Sequence, residues 1–169
     1  STALQNWVNN LSANGGTNPK CGLDIANTKL GELTDKNPKY VILFTDGEPT
    51  GDGSNANTWS TSAQKAAETS ATTIKNAGMT VYTVGFALKD KTKAFLSGGT
   101  YGETTFPGIA TPGCAFEADD MDGLKEIFKS IQENITNNYD ITGATVTDIV
   151  DDRFVVLNDA GQVITLKKG

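Results

Sequence analysis

Asp46 is the residue of this sequence whose type and position most directly suggest chemistry. Only Thr45 separates it from a continuous apolar run, residues 40–44, which has the pattern of a strand buried on both faces of a parallel sheet. Because ligands of open α/β sheets bind outside the carboxyl ends of the strands, the Asp46 carboxylate is predicted to face such a crevice. An isolated Asp-Gly pair is more often only a tight turn, so Asp46-Gly47 leaves that alternative open.

A second polar segment lies one helix ahead of this strand. Gly15-Gly16-Thr17-Asn18 precedes Cys21-Gly22-Leu23, where a helical pattern begins. The presence of this segment shifts the interpretation of Asp46 from a simple turn towards a binding residue.

The absence of histidine narrows the chemistry. The sequence has no His and only two Cys, without C-x-x-C spacing, so the usual zinc sites and the triads that depend on imidazole are disfavoured. The alternative function is an α/β hydrolase or phosphotransferase with Asp46 as nucleophile or metal ligand. Neither a Gly-x-Ser-x-Gly elbow nor a Gly-rich phosphate loop with Lys is present, so we expect a binding protein and not an enzyme.

Charge and hydropathy argue against two kinds of partner. Fourteen Lys and Arg stand against 20 Asp and Glu, a net charge of -6, without the one-faced basic footprint that nucleic acid requires. There is no apolar run long enough to cross a bilayer and no basic and apolar leader. Neither nucleic acid binding nor a membrane span is expected of this segment.

The two cysteines are far apart in a sequence rich in Ser, Thr, Asn and Gly, which is typical of an extracellular chain with one bridge. A disulfide between Cys21 and Cys114 is therefore one interpretation. Two separate buried thiols are the other, because free Cys is often a small core residue.

Apolar spacing predicts the elements that must position Asp46 and Thr17. Helical spacing occurs in residues 2–12, from Leu23 to Leu33 before Pro38, in residues 60–77 and from Leu124 to Ile135. Strands are predicted at residues 40–44, 79–87 and 114–118, whereas the Gly-, Thr- and Pro-rich residues 88–113 are predicted to be irregular. The alternation predicts an α/β fold with a doubly wound, mostly parallel sheet.

The pattern changes after residue 137. Residues 145–149 alternate, and residues 154–157 and 162–166 flank Asn158-Asp159-Ala160-Gly161 as the strands of a hairpin would. The predicted domains are therefore residues 1–138 and a β-strand segment, residues 139–169, of an adjoining domain.

The Gly-Gly-Thr-Asn segment, followed by a helix and a strand that ends in Thr-Asp-Gly-Glu-Pro, resembles the von Willebrand factor type A domain with its metal-ion-dependent adhesion site. The likeness covers residues 1–136 and implies that the Thr17 hydroxyl and the Asp46 carboxylate coordinate Mg²⁺ (or Ca²⁺/Mn²⁺). Such a site of oxygen ligands keeps one position open for a carboxylate of the partner. Glu48 adjoins the site, but an exposed loop acid is the commoner role and we do not expect it to be a ligand.

The sequence departs from this family in one respect. The first strand of the family ends in Asp-x-Ser-x-Ser and supplies further metal ligands, and that motif does not occur in these 169 residues. Asp52-Gly53-Ser54-Asn55 comes nearest, but no buried strand precedes it. The resemblance therefore implies that an upstream segment of the same protein completes both the sheet and the metal site, because an open central strand would expose backbone groups and apolar surface.

The tail resembles the stalk segment that follows the A domain in tip adhesins of Gram-positive pili, through residues 143–148. The resemblance implies a cell-surface adhesin, cell-wall-anchored with other pilus subunits, that binds a host or extracellular matrix protein through the metal. Stalk domains of this kind often contain Lys to Asn isopeptide bonds. Lys167 and Lys168 are usually just solvated in such a position, so neither is assigned a site.

Overall fold

The computed structural model describes residues 2–10, 16–51 and 58–137. These residues form five helices and five strands, and all of them belong to one compact unit, Ser1–Asn138. In chain order the elements are α1 (Thr2–Asn9), α2 (Pro19–Gly31), β1 (Tyr40–Thr45), α3 (Thr61–Asn76), β2 (Thr80–Phe86), α4 (Asp90–Ser97), β3 (Gly99–Tyr101), β4 (Thr104–Phe106), β5 (Ala115–Ala118) and α5 (Met121–Asn137). The predicted segment 139–169 lies outside the described residues, so its strands and the division at residue 138 stay predictions.

The sheet that carries Asp46 has three parallel strands in the order β1-β2-β5. Thr45 at the end of β1 is level with Gly85 on β2, and Phe86 is level with Ala118 on β5, so the three carboxyl ends meet at one edge. Each strand is followed along the chain by a helix. This arrangement confirms the predicted α/β fold with a doubly wound, mostly parallel sheet.

One face of the sheet is covered by α2, α3 and α4, and we call it the three-helix face. Alternate strand residues such as Val41 and Val81 point into it, as expected from the two-residue repeat of a strand. Small helix residues let α3 approach closely, and Ala67, Ala71 and Ile74 are fully buried there. Burial of this apolar surface is the main stabilising contribution on this side.

The opposite face is covered by α5, and we call it the α5 face. Tyr82 and Val84 of β2 are buried against Ile131 of α5. Ile42 and Phe44 of β1 point to the same side but remain 42% and 50% exposed. The prediction that β1 is buried on both faces is therefore wrong for these two residues, because among the described residues of β1 it is Tyr40 that packs against the cluster on this face.

The segment 88–113 contains a helix and a hairpin, so the prediction of an irregular segment is wrong. Helix α4 buries Thr92, Phe95 and Leu96, and strands β3 and β4 form an antiparallel pair. Its high content of Gly, Thr and Pro concealed a helical spacing at Leu88, Thr92, Phe95 and Leu96. Of the helices in the described part of the chain, none has the length and apolar character that a membrane span requires.

Candidate functional site

Asp46 lies directly after β1, where the chain leaves the sheet, and it is exposed. The turn that follows is fixed from inside the sheet, because the hydroxyl of the buried Thr45 lies 3.3 Å from both the N–H nitrogen and the carbonyl oxygen of Gly47. The turn thus places Asp46 at the carboxyl edge of the sheet, where open α/β sheets bind their ligands.

Thr17 lies against the same turn. A Cβ atom added to Gly47 would stand 3.2 Å from Thr17 Oγ1, which is tighter than ordinary van der Waals contact. Because Gly47 has no side chain, the Thr17 hydroxyl has room beside it, one residue after Asp46. The structure thus brings the two residues singled out in the sequence to one edge of the sheet.

The backbone of Thr17 is hydrogen-bonded to the loop that follows β1. Its N–H donates to Thr50 Oγ1 at 2.8 Å, and its carbonyl accepts from the N–H groups of Thr50 and Gly51, each at 3.0 Å. Neither Thr50 nor Gly51 belongs to a pattern that the sequence makes recognisable. The glycine at position 51 is a weak signal in the sequence, because glycine is the usual residue where the backbone needs a positive φ. The φ of Gly51 is +75°, a conformation that other residues seldom adopt.

Ion pairs connect the loops along this edge. Glu48, two residues after Asp46, pairs with Lys89 at the start of α4, with Nζ and Oε1 2.9 Å apart. Lys93 of α4 pairs with Glu117 of β5, also at 2.9 Å. These acids raise the pKa of Lys89 and of Lys93 above the ordinary lysine value, through the hydrogen bond first and the opposite charge second. Glu48 is thus engaged with a lysine, and the expectation that it is not a metal ligand stays a prediction.

The oxygen donors at this edge fit a hard cation in kind. Thr17 offers a hydroxyl and Asp46 a carboxylate, and neither is hydrogen-bonded through its side chain to another described residue. Mg²⁺ requires six ligands and Ca²⁺ six to eight, several of which are commonly waters. Residues 2–10, 16–51 and 58–137 contain no cluster of three or more His, Cys, Asp or Glu that could hold a metal. Thr17 and Asp46 could therefore supply two of the donors that such a cation needs.

Cys21 and Cys114 do not form the disulfide considered from the sequence. Both are free: Cys21 is exposed on α2, and Cys114 is half-buried. Helix α2 packs on the three-helix face, whereas Cys114 packs with Tyr82 and Phe116 on the α5 face, so the sheet lies between the two thiols. Burial raises the pKa of the Cys114 thiol. The alternative of two separate thiols holds, but neither is fully buried.

Polar side chains gathered outside the carboxyl ends of a parallel sheet define a class of α/β ligand-binding domain. A family model of the von Willebrand factor type A domain matches residues 1–130, which is more than half of the chain. The chain therefore belongs to the von Willebrand factor type A family. No curated protein and no solved structure matches it. Domains of this family are protein-interaction modules that are commonly extracellular and often bind a divalent metal.

Proposed function

We propose that this chain forms most of an adhesion module of a cell-surface protein, in which Thr17 and Asp46 hold a divalent cation that binds a partner protein. The observation that supports the proposal is the position of the Thr17 hydroxyl beside the Asp46-Gly47 turn. Thr17 Oγ1 lies 3.2 Å from the point where a Cβ atom added to Gly47 would stand. Mg²⁺, Ca²⁺ or Mn²⁺ suits these oxygen donors. When bound, the cation would offer an open coordination position to a carboxylate of the partner.

The remaining ligands of this proposed site come from an upstream segment of the same protein. Two observations support this part of the proposal: the Asp-x-Ser-x-Ser motif is absent from the sequence, and among the described residues β1 has a strand neighbour on one side only. A further strand at that side would pair the open backbone groups of β1 and bring its own carboxyl end to the edge that holds Asp46.

The proposed partner is a host or extracellular matrix protein, and the proposed location is a cell-wall-anchored pilus with other pilus subunits. The likeness of residues 143–148 to the stalk of Gram-positive tip adhesins supports this context. An isopeptide bond in the stalk belongs to the same proposal. We also propose binding without catalysis, because the sequence lacks the histidine on which most hydrolytic triads depend.

The experiment that tests this function measures binding of the intact polypeptide to immobilised collagen, fibronectin and fibrinogen with Mg²⁺, with Mn²⁺ and with EDTA. We expect binding that is lost in EDTA and restored by the cation, and that is abolished by Asp46→Ala. Glu103→Ala is the matched control, because Glu103 is an exposed acid in the turn between β3 and β4. Binding that survives chelation would exclude the metal-bridged mechanism, and turnover of a generic phosphate or carboxylic ester abolished by Asp46→Ala would favour the enzyme.

A further inference from the structure

We infer that Thr50 is the residue that positions Thr17 at the proposed metal site. The inference rests on the proposed function and adds to it a residue that does not itself touch the cation. Thr17 and Thr50 are 33 positions apart in the sequence, yet three hydrogen bonds join their segments. The hydroxyl of Thr50 accepts from the Thr17 N–H, and the N–H groups of Thr50 and Gly51 donate to the Thr17 carbonyl. Both backbone polar groups of Thr17 are therefore engaged by this pair of residues, which we call the Thr50 clamp.

The clamp is attached to a rigid part of the fold. Pro49 is fully buried, and its carbonyl accepts a hydrogen bond from the N–H of Ser60 at 2.8 Å. The Ser60 hydroxyl in turn accepts from the N–H of Ala63 and caps the first turn of α3. On the other side of Thr50, a Cβ on Gly51 would stand 3.6 Å from the Cβ of Ala63. The start of α3 thus holds Pro49 by a hydrogen bond and lies close to the buried Gly51 on the other side of Thr50.

This anchoring determines where the Thr17 hydroxyl lies. Thr17 follows a glycine-rich segment, so little in its own sequence restricts its backbone. The Thr50 clamp supplies the restriction and holds Thr17 Oγ1 beside Gly47 without help from a cation. A coordinating side chain that is held in place before the cation arrives binds the cation more tightly, because no conformational entropy of that side chain is lost on binding. Thr50 therefore acts on the cation through Thr17.

Thr50→Val tests this role, because valine keeps the branched shape and removes the hydroxyl. In the intact polypeptide without metal, we expect the amide hydrogen exchange of Thr17 to accelerate about tenfold, the effect of one lost hydrogen bond. The affinity for Mn²⁺ should fall about 10- to 100-fold, as it does when a residue behind a metal ligand is removed. Thr50→Ser retains the hydroxyl and should restore both values.

The control is Thr72→Val, which removes an exposed threonine hydroxyl that bonds only to the carbonyl of Glu68 within α3. It should change neither the exchange of Thr17 nor the affinity for Mn²⁺.

An unchanged Mn²⁺ affinity in Thr50→Val, or a loss that Thr50→Ser fails to rescue, would overturn the positioning role. If the unsubstituted protein binds no Mn²⁺, the proposed metal site and the positioning role both fail, and the exchange of Thr17 then decides only whether the clamp forms. If Mn²⁺ binds but Thr50→Val does not alter that exchange, the clamp is refuted and the metal site stands.

Discussion

The two faces of the sheet differ most clearly where β1 and β2 lie side by side. Phe44 of β1 is paired in register with Val84 of β2, and both point to the α5 face. Val84 is fully buried, whereas Phe44 is half exposed. On the three-helix face the corresponding residues of both strands, such as Val41 and Val81, are buried together. In the described part of the chain, the three-helix face therefore covers β1 along its length, whereas the cover on the α5 face includes Tyr40 of β1 but leaves Ile42 and Phe44 half exposed.

The difference shows which part of the domain these residues form by themselves. The three-helix face buries its strands against helices that the chain supplies, so its stability is a property of these residues. The exposed Ile42 and Phe44, next to the open side of β1, are an apolar surface of the kind that a further element of the fold covers. In the proposal, the same upstream segment covers this apolar surface and supplies metal ligands, so completion of the fold and adhesion depend on one segment.

The largest effect is expected from a substitution in the complete face. Ile74 of α3 has no exposed surface, so Ile74→Ala should lower the free energy of unfolding by about 2–5 kcal/mol. Ile25→Ala is the matched control, because Ile25 of α2 is 64% exposed and its truncation should cost less than about 1 kcal/mol. Urea unfolding of the two variants measures the contrast. Equal losses would show that Ile25 is buried in the protein and that the outer side of α2 is covered.

A smaller loss is expected where the same face leaves no room for a side chain. Gly85 of β2 points towards Leu88 and Leu96, and a Cβ at this position would stand 2.9 Å from Leu88 Cγ. Gly85→Ala should therefore destabilise the fold by about 1–3 kcal/mol, as overpacking does. Thermal unfolding measures the loss.

Two further variants separate crowding from other effects of that substitution. In the double variant Gly85→Ala/Leu88→Ala the space is restored, so its stability should exceed that expected from the sum of the single effects. Gly22→Ala is the control for glycine replacement, because nothing lies within 4 Å of a Cβ there and the position is in α2. It should stabilise the helix by about 0.5–1 kcal/mol. A double variant that is no more stable than the sum predicts would rule out the clash with Leu88.

The sequence predicted the elements whose apolar spacing is uninterrupted. The β1, β2, α3 and α5 segments were recognisable because each has a continuous or periodic apolar pattern that tertiary structure then buries. Helix α4 was missed because a Gly-, Thr- and Pro-rich stretch follows it directly, although its buried residues are helically spaced. The exposure of β1 on the α5 face was not predictable, since an apolar run gives no information on what covers it.

The site was predictable only in part. Asp46 was identified from its place after a strand, and the role of Thr17 was implied by the family resemblance. Thr50 was not, because its hydroxyl acts on a residue 33 positions away and the intervening chain gives no local signal. Long-range hydrogen bonds of polar loop residues depend on the assembled fold, whereas apolar periodicity is a property of each element.

On the α5 face, the effect of replacing the half-exposed Phe44 should depend on whether the proposed upstream segment is present. Phe44→Thr keeps a strand-forming residue. In the 169-residue chain alone the loss should be about 1 kcal/mol, because Phe44 is already half exposed. In a polypeptide that includes the proposed upstream segment, the loss should rise to about 3–5 kcal/mol, the value for a buried Phe. Chemical unfolding of both forms measures the difference, and equal small losses would refute cover by that segment.

The smallest effect is expected at the rim of the three-helix face, where Asp24 of α2 joins α3. Asp24 pairs with Lys20 and accepts a hydrogen bond from the Ser70 hydroxyl at 2.5 Å. The hydrogen bond from Lys20 and then that from Ser70 hold the pKa of Asp24 below its ordinary value of 3.8. The folded state therefore releases this proton more readily than the unfolded state, and the stabilisation is present above pH 3.8 and lost as the pH falls through the lowered pKa.

Asp24→Asn removes this dependence on pH. Because the Asp24 side chain is 45% exposed, the stabilisation near neutral pH should be below about 1 kcal/mol. The difference in unfolding free energy between the unsubstituted protein and Asp24→Asn should accordingly shrink as the pH is lowered below 3.8. Ser70→Ala, which leaves the pair with Lys20 in place, should remove only part of it. A difference that stays constant from pH 6 to pH 2 would mean that Asp24 adds nothing through its charge, and that the complete face depends on its apolar contacts alone.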